Sequence, residues 1–260
     1  MTPVQEEAVI CRMEQLTADI FRLTAAAPLI AKTVRPGQFV MVKVGADLDP
    51  LLRRPFSVHL ATGRGEIQLL FKVVGKGTGK LAALKAGHRL DMIGPLGQGF
   101  LVADSDQVCI IGGGLGIAPL FFLADHLRRL KRPATITILL GARTWAELAV
   151  LVAGFEKRGY AVQVATDDGS RGHHGSVVDL LAGLEHPGLG VYTCGPYPMM
   201  RAVARTCAQR GWDCQVSLET MMACGLAACL GCAVPRADGP GYLHACKDGP
   251  VVAARKLKWR

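Results

Sequence analysis

Apolar and polar positions alternate in short runs through the first hundred residues, and then the rhythm changes. Ala8 to Met13, Ile20 to Thr24, Gln38 to Val44, Phe56 to Leu60, Ile67 to Val74 and Arg89 to Ile93 are β-branched or alternating, the pattern of half-buried strands. Pro36-Gly37, Gly63-Arg64-Gly65, Gly75-Lys76-Gly77 and Gly94-Pro95 punctuate them. Even spacing of this kind predicts an antiparallel β-barrel or sandwich, with one short helix over Gly79 to Ala86. From Gln107 the chain alternates instead: strand Val108 to Ile111, helix Ala118 to Leu130, strand Thr135 to Leu140, and a helix opening at Thr144-x-x-Glu147, a capping-box pattern. Strand Ala161 to Thr166, helix Val177 to Leu181, strand Gly190 to Thr193 and helix Met199 to Gln209 follow. Alternating β and α elements predict a doubly wound α/β parallel sheet. Periodicity fades after Gly211-Trp212. The expected division is multidomain: a barrel over 1–103, an α/β domain over 104–212 and a small Cys-rich module over 213–260.

Composition agrees with a globular chain. Of 260 residues, 50% are hydrophobic and 20% charged, enough for two domains of about 100–150 residues with a small addition. Mean hydropathy is positive. The longest uncharged run, Gln107 to Ala124, is interrupted by Gly112-Gly113-Gly114, Gly116 and Pro119, so no membrane span is expected. The N-terminus lacks a basic stretch followed by an apolar one, so no signal peptide is expected, and a soluble cytoplasmic protein is. The net charge of +9 comes from scattered residues and two clusters, Arg128-Arg129-Leu130-Lys131-Arg132 and Arg255-Lys256-Leu257-Lys258-Trp259-Arg260. The first suits a helix C-terminus. With 6% aromatics and no stacking pattern, no nucleic-acid partner is expected; sites for anionic cofactors account for the charge equally well.

Nine cysteines in a cytoplasmic chain ask for a reason other than disulfides. Four of them follow the spacing Cys224-x4-Cys229-x2-Cys232-x13-Cys246. Zinc modules use two close knuckles; three thiolates on one loop with a distant fourth is the plant-type [2Fe–2S] spacing. Gly225, Ala227, Ala228 and Gly231 are small enough to bring backbone N–H groups to the sulfurs. A zinc module stays open as the alternative.

Gly112-Gly113-Gly114-Leu115-Gly116 follows a strand and opens a helix, where N–H groups and the helix dipole receive a pyrophosphate. Ile117 stands where the strict fingerprint has its last glycine. Thr166-Asp167-Asp168-Gly169-Ser170 and Thr193-Cys194-Gly195-Pro196 also end strands, and the carboxyl ends of a parallel sheet are where nucleotides bind. A nucleotide domain is expected, with NAD against NADP open, because Arg143 rather than an acid closes the second strand. His173-His174 read as an exposed loop.

Arg54-Pro55-Phe56-Ser57, the glycine loop, and Cys194-Gly195-Pro196-Tyr197-Pro198-Met199, in that order, resemble the ferredoxin–NADP reductase family over about residues 5–212. The resemblance implies FAD on the barrel, with Arg54 at the pyrophosphate and Ser57 near the flavin ring. It also implies that Leu70, Phe71, Lys72, Gly77 and Thr78 line the flavin and its phosphates. Gly112, Gly113, Gly114 and Gly116 would hold NAD as co-substrate, and Cys194 would lie close to the nicotinamide.

Ser217-Leu218-Glu219-x-x-Met222-Ala223-Cys224-Gly225 and Cys246-Lys247-Asp248-Gly249-Pro250-Val251 extend the resemblance to the electron-transfer subunits of type B dihydroorotate dehydrogenase. Related subunits serving glutamate synthase-like partners carry Asp at the first ligand position, where this chain has Cys224. Ala227 replaces a frequent glycine, and Val252 a frequent aromatic. That family implies an oxidoreductase subunit of pyrimidine biosynthesis. Electrons would run from a partner FMN-containing dihydroorotate dehydrogenase catalytic subunit, through [2Fe–2S] and FAD, to NAD, in a heterotetramer of two of each chain. A reductase feeding another iron–sulfur or oxygenase partner and a zinc-bearing scaffold are the alternatives.

Overall fold

The computed structural model describes residues 2–45, 49–130 and 135–259. Two compact units are formed. One comprises the chain up to Gly99 together with Glu219–Val234 and Tyr242–Val251; the other comprises Phe100–Leu218, Pro235–Gly241 and the chain from Val252 onward. The C-terminal stretch thus contributes to both, and all four clustered cysteines fall in the first.

The first unit is a closed barrel. Its elements are β1 (Val4–Gln15), β2 (Ile20–Ala26), α1 (Pro28–Thr33), β3 (Phe39–Val42), β4 (Arg54–Ala61), β5 (Glu66–Lys72), α2 (Lys76–Ala82) and β6 (Arg89–Leu96). The strand order is β1-β2-β5-β4-β3-β6, and every pairing is antiparallel. Closure removes open sheet edges. Ile10, Leu23, Val40, Val58, Ile67, Leu69 and Met92 are buried. Two details differ from the sequence expectation. The helix sits at Lys76–Ala82 rather than Gly79–Ala86, because the Thr78 hydroxyl accepts the N–H groups of Val74 and Gly75 and starts the turn early. A further helix, α1, is present. Its first N–H groups, those of Leu29 and Ile30, which have no partner within the helix, donate to the buried Glu6 carboxylate of β1 at 3.0 and 2.9 Å, a cap supplied from a distant strand.

The second unit is the expected parallel sheet. It contains β7 (Gln107–Gly113), a 3₁₀ turn at Gly114–Gly116, α3 (Ile117–Leu130), β8 (Thr135–Ala142), α4 (Trp145–Glu156), β9 (Val162–Thr166) and β10 (His173–His174). It continues through α5 (Val177–Ala182), β11 (Gly190–Cys194), α6 (Tyr197–Arg210) and β12 (Asp213–Ser217). Two further strands, β13 (Ala233–Pro235) and β14 (Tyr242–His244), the latter in the first unit, form a separate two-stranded sheet, and β15 (Val251–Ala253) joins the parallel sheet. The sheet order is β10-β9-β8-β7-β11-β12-β15, with β7 to β12 joined in parallel register. Helix starts follow their caps: Thr144 accepts the Glu147 N–H, and Ser176 accepts that of Val178.

Regular structure does not fade at Trp212. Left-handed Gly211 (φ 67) ends α6, and β12 then buries Cys214 and Val216 while Asp213 faces out. His173 and His174 are exposed as expected, but they pair with β9, and His173 Nε2 lies 3.3 Å from Asp179. Arg128 and Arg129 close α3; Lys131, Arg132 and Arg260 of the two basic clusters lie outside the described residues. Among the described residues no helix is long and apolar enough to cross a membrane.

Candidate functional site

The cysteine loop follows β12 and folds onto the barrel. Left-handed backbone recurs at Gly225, Ala227 and Leu230, with φ of 69, 62 and 57°. Such turns swing N–H groups to the concave side, and here they meet sulfur. The Leu226 and Cys229 N–H groups donate to Cys224 Sγ at 3.3 and 3.4 Å; Ala227 donates to Cys246 Sγ at 3.2 Å and Cys246 to Cys232 Sγ at 3.4 Å. Burial disfavours the Cys224 thiolate, but the N–H groups of Cys229, Leu226 and Ala228 outweigh it and bring its pKa to about 6. Cys246 moves the other way: burial and the bond with Cys232 push it up to about 11.

The sulfurs form two pairs. Cys232 Sγ and Cys246 Sγ are 3.2 Å apart and buried, and Cys224 bonds with the exposed Cys229. Among the described residues no three His, Cys, Asp or Glu side chains converge on a single ion-sized point. Two pairs of thiolates with N–H donors suit a two-iron cluster. The donor set therefore fits an iron–sulfur cluster.

The inner pair is anchored in the barrel. Cys232, Cys246 and Ala245 share an apolar cluster with Phe39 and Met41 of β3 and Leu96 of β6. Gln98 N–H donates to the Gly249 carbonyl, and Gln98 Nε2 to that of Lys247 at 3.2 Å. A cavity of about 340 Å³ beside Cys246 opens between Arg35, Gln38 and Gln98.

The Arg54-Pro55-Phe56-Ser57 motif lies on β4, directly beside β3. Phe39 faces Ser57, Val40 faces Phe56 and Met41 faces Pro55 across the ladder. Phe56 is buried and packs edge-on against Phe71, their ring centres 5.6 Å apart. A Cβ on Gly77 would stand 3.1 Å from Arg54 Nε, so the glycine keeps room beside the guanidinium. The Thr78 hydroxyl ties down the loop before α2. The Arg54 guanidinium, whose Nη1 donates to the Leu52 carbonyl at 2.8 Å, a bare glycine and the half-buried Ser57 together fit a dinucleotide flavin. Leu70 and Phe71 are buried on β5, and Lys72 pairs with Asp19 at 2.9 Å.

In the second unit, Gly112 to Gly116 close the end of β7 against the loop after β11. A Cβ on Gly113 would come within 2.5 Å of Met199 Sδ, and one on Gly116 within 2.5 Å of the Cys194 carbonyl. Gly114 (φ 51) is bare toward open space. The first turn of α3 carries no acid, which leaves its N–H groups to an anion. Cys194 is buried, and the Thr193 hydroxyl beside it has no partner among the described residues. Arg143 is exposed and pairs with Glu147 one turn on.

The barrel with a flavin-type motif, the parallel sheet with a glycine loop, and the paired thiolates define a flavin- and iron–sulfur-linked reductase of the ferredoxin–NADP reductase fold. Known proteins agree. The oxidoreductase FAD-binding domain family matches residues 7–100, and the iron–sulfur cluster binding domain of dihydroorotate dehydrogenase B matches residues 219–258. Two relatives, from Desulforamulus reducens and Geobacillus kaustophilus, are 38% and 37% identical over 97% of this chain and 98% of their own. Both are named dihydroorotate dehydrogenase B (NAD(+)), electron transfer subunit. The chain belongs to the family of dihydroorotate dehydrogenase B electron transfer subunits. Among solved structures, that of the NADH-dependent reduced ferredoxin-NADP oxidoreductase superposes with a TM-score of 0.84 at 29% identity, covering 97% of this chain and 90% of the other. A ferredoxin NADP+ reductase from Neisseria gonorrhoeae with bound FAD and NADP shares the fold at TM-score 0.64 and 16% identity, over 80% and 92%.

Proposed function

We propose that this chain is the electron-transfer subunit of a cytoplasmic NAD-linked dihydroorotate dehydrogenase. It serves an FMN-containing catalytic subunit that oxidises dihydroorotate to orotate, in a heterotetramer of two of each chain. The observation that carries the reading is that all four cysteines and the Arg54–Ser57 motif share one folded unit, in which the Cys232–Cys246 pair packs on β3, the strand beside the motif.

Each part of the chain has a task in this reading. Cys224, Cys229, Cys232 and Cys246 hold a [2Fe–2S] cluster, and the N–H groups of the loop stabilise charge on their sulfurs. Arg54 and the Gly77-Thr78 turn hold the FAD pyrophosphate. Ser57 orients the ring, and Pro55, Phe56, Leu70, Phe71 and Lys72 build the surface beneath it. Gly112, Gly113, Gly114 and Gly116 bring backbone N–H groups to the NAD pyrophosphate, and Cys194 shapes the nicotinamide end. When bound, the cluster supplies one-electron transfer and the flavin exchanges single electrons for a nicotinamide hydride. The cluster-binding segment also exposes Met221, Leu226 and Leu230. Apolar side chains beside the exposed Cys229 suit coverage by the catalytic subunit.

The test is co-expression with an FMN dihydroorotate-oxidising subunit. A stable complex that reduces NAD when given dihydroorotate is expected. Absence of co-purification under reducing conditions contradicts the reading.

A further inference from the structure

Opposed residues of an antiparallel ladder project from the same face, with Cβ atoms about 4.5–5.5 Å apart. Phe39 and Met41 therefore share a face with Ser57 and Pro55, while Val40 and Phe56 turn to the other. On that shared face, Met41 and Phe39 also pack with Cys232 and Cys246. Met41 is fully buried. It is pressed so closely by the cysteine loop that a Cβ on Gly225 would lie 2.5 Å from Met41 Cγ and 2.7 Å from its Sδ. Gly225 is also left-handed (φ 69), so both its conformation and its lack of a side chain bring the loop down on Met41. The other end of the module is held equally close. A Cβ on Gly97 would meet the Gly249 carbonyl at 2.6 Å and the Phe39 ring at 3.0 Å.

We propose that Met41, seated between the buried Cys232–Cys246 pair and Pro55 of the flavin strand, is the packing bridge through which single electrons cross between cluster and flavin. Gly225 and Phe39 keep that bridge closed. This rests on the proposed cofactor assignment and deepens it. One electron crosses: a reduced flavin loses it and one ferric iron becomes ferrous, with no heavy-atom bond made or broken. The protein's contribution is close packing, because an apolar gap removes the atoms that couple the two groups. Met41 is thus a positioning residue rather than a catalytic one.

The test follows transfer inside the full chain after mixing with NADH. Flavin bleaching is read optically and cluster reduction by rapid-freeze EPR, with iron and flavin content measured first. In Met41→Ala and Gly225→Ala, flavin bleaching should keep its parental rate while the cluster phase slows severalfold. Met41→Leu, which conserves volume, should restore it. Ile67→Val, a core truncation on β5, should leave both phases alone. Should Met41→Ala not retain iron, Phe39→Leu is the companion variant and should slow the cluster phase. An unchanged cluster phase in these variants, or equal slowing in Ile67→Val, overturns the bridge. If NADH bleaches no flavin even in the parent, or flavin and iron are absent, the cofactor reading fails instead.

Discussion

Cys232 Sγ lies 3.2 Å from Cys246 Sγ, although fourteen positions separate them in the chain. They meet because the Cys232 carbonyl accepts the Ala245 N–H at 3.0 Å and both thiols drop into the Phe39–Met41–Leu96 cluster. The outer pair is less enclosed: Cys224 is half-buried and Cys229 exposed. Cys229→Ser should therefore abolish the iron signal while leaving the fold and the bound flavin intact. Iron analysis, circular dichroism and flavin absorbance check this; equal iron in variant and parent contradicts the ligand assignment.

Ala227 occupies left-handed backbone (φ 62), which disfavours an L-residue by about 1–2 kcal/mol, and its N–H donates to Cys246 Sγ. Glycine relieves the strain, and its extra unfolded-state freedom takes back about 0.5–1 kcal/mol. Ala227→Gly should raise stability by up to about 1 kcal/mol, read as a higher midpoint for thermal bleaching of the cluster. A lower midpoint contradicts the strain argument.

Arg54→Ala removes the cation beside Gly77. A charge-assisted hydrogen bond contributes about 1.5–3 kcal/mol, so FAD should bind roughly ten- to a hundredfold more weakly. Flavin stoichiometry after gel filtration measures it, and parental retention argues against the pyrophosphate role.

Gly116→Ala places a methyl group against the Cys194 carbonyl at 2.5 Å. Overpacking of this kind costs about 1–3 kcal/mol and pushes apart two loops assigned to the nicotinamide dinucleotide. NADH should then bleach the flavin more slowly, with iron and flavin contents unchanged.

Asp91 accepts from Arg53 at 2.5 Å and from Gln5 at 2.9 Å. Burial opposes its ionisation, but the bonds from Arg53 and Gln5 prevail and hold its carboxyl below the usual carboxylate range. The stability it contributes is present above the unfolded-state value of about 3.9 and is lost as pH falls through the lower folded-state value. Asp91→Asn should cost about 1 kcal/mol at neutral pH, or about 2–4 °C in Tm. The difference from the parent should close in acid; a gap independent of pH contradicts the pairing.

Strands and long helices were legible because their apolar positions repeat locally: β7, α3, β11 and α6 begin and end within two residues of their expected bounds. The cysteine spacing likewise marked the segment over which the iron–sulfur cluster binding family matches. What escaped depends on distant partners. α1 is capped by Glu6 from another strand, β12 needs the sheet edge of β11 to pair with, and β10 consists of two exposed histidines that alone suggest no strand. The place of β3 between cysteine loop and flavin motif was illegible for the same reason, since strand order is a property of the closed barrel.

The most direct measurement is low-temperature EPR of the anaerobically purified chain after dithionite reduction, with iron and flavin counted on the same sample. A rhombic signal from a reduced two-iron cluster, two irons and one FAD per chain are predicted. A colourless preparation carrying zinc, with no EPR signal on reduction, contradicts the account.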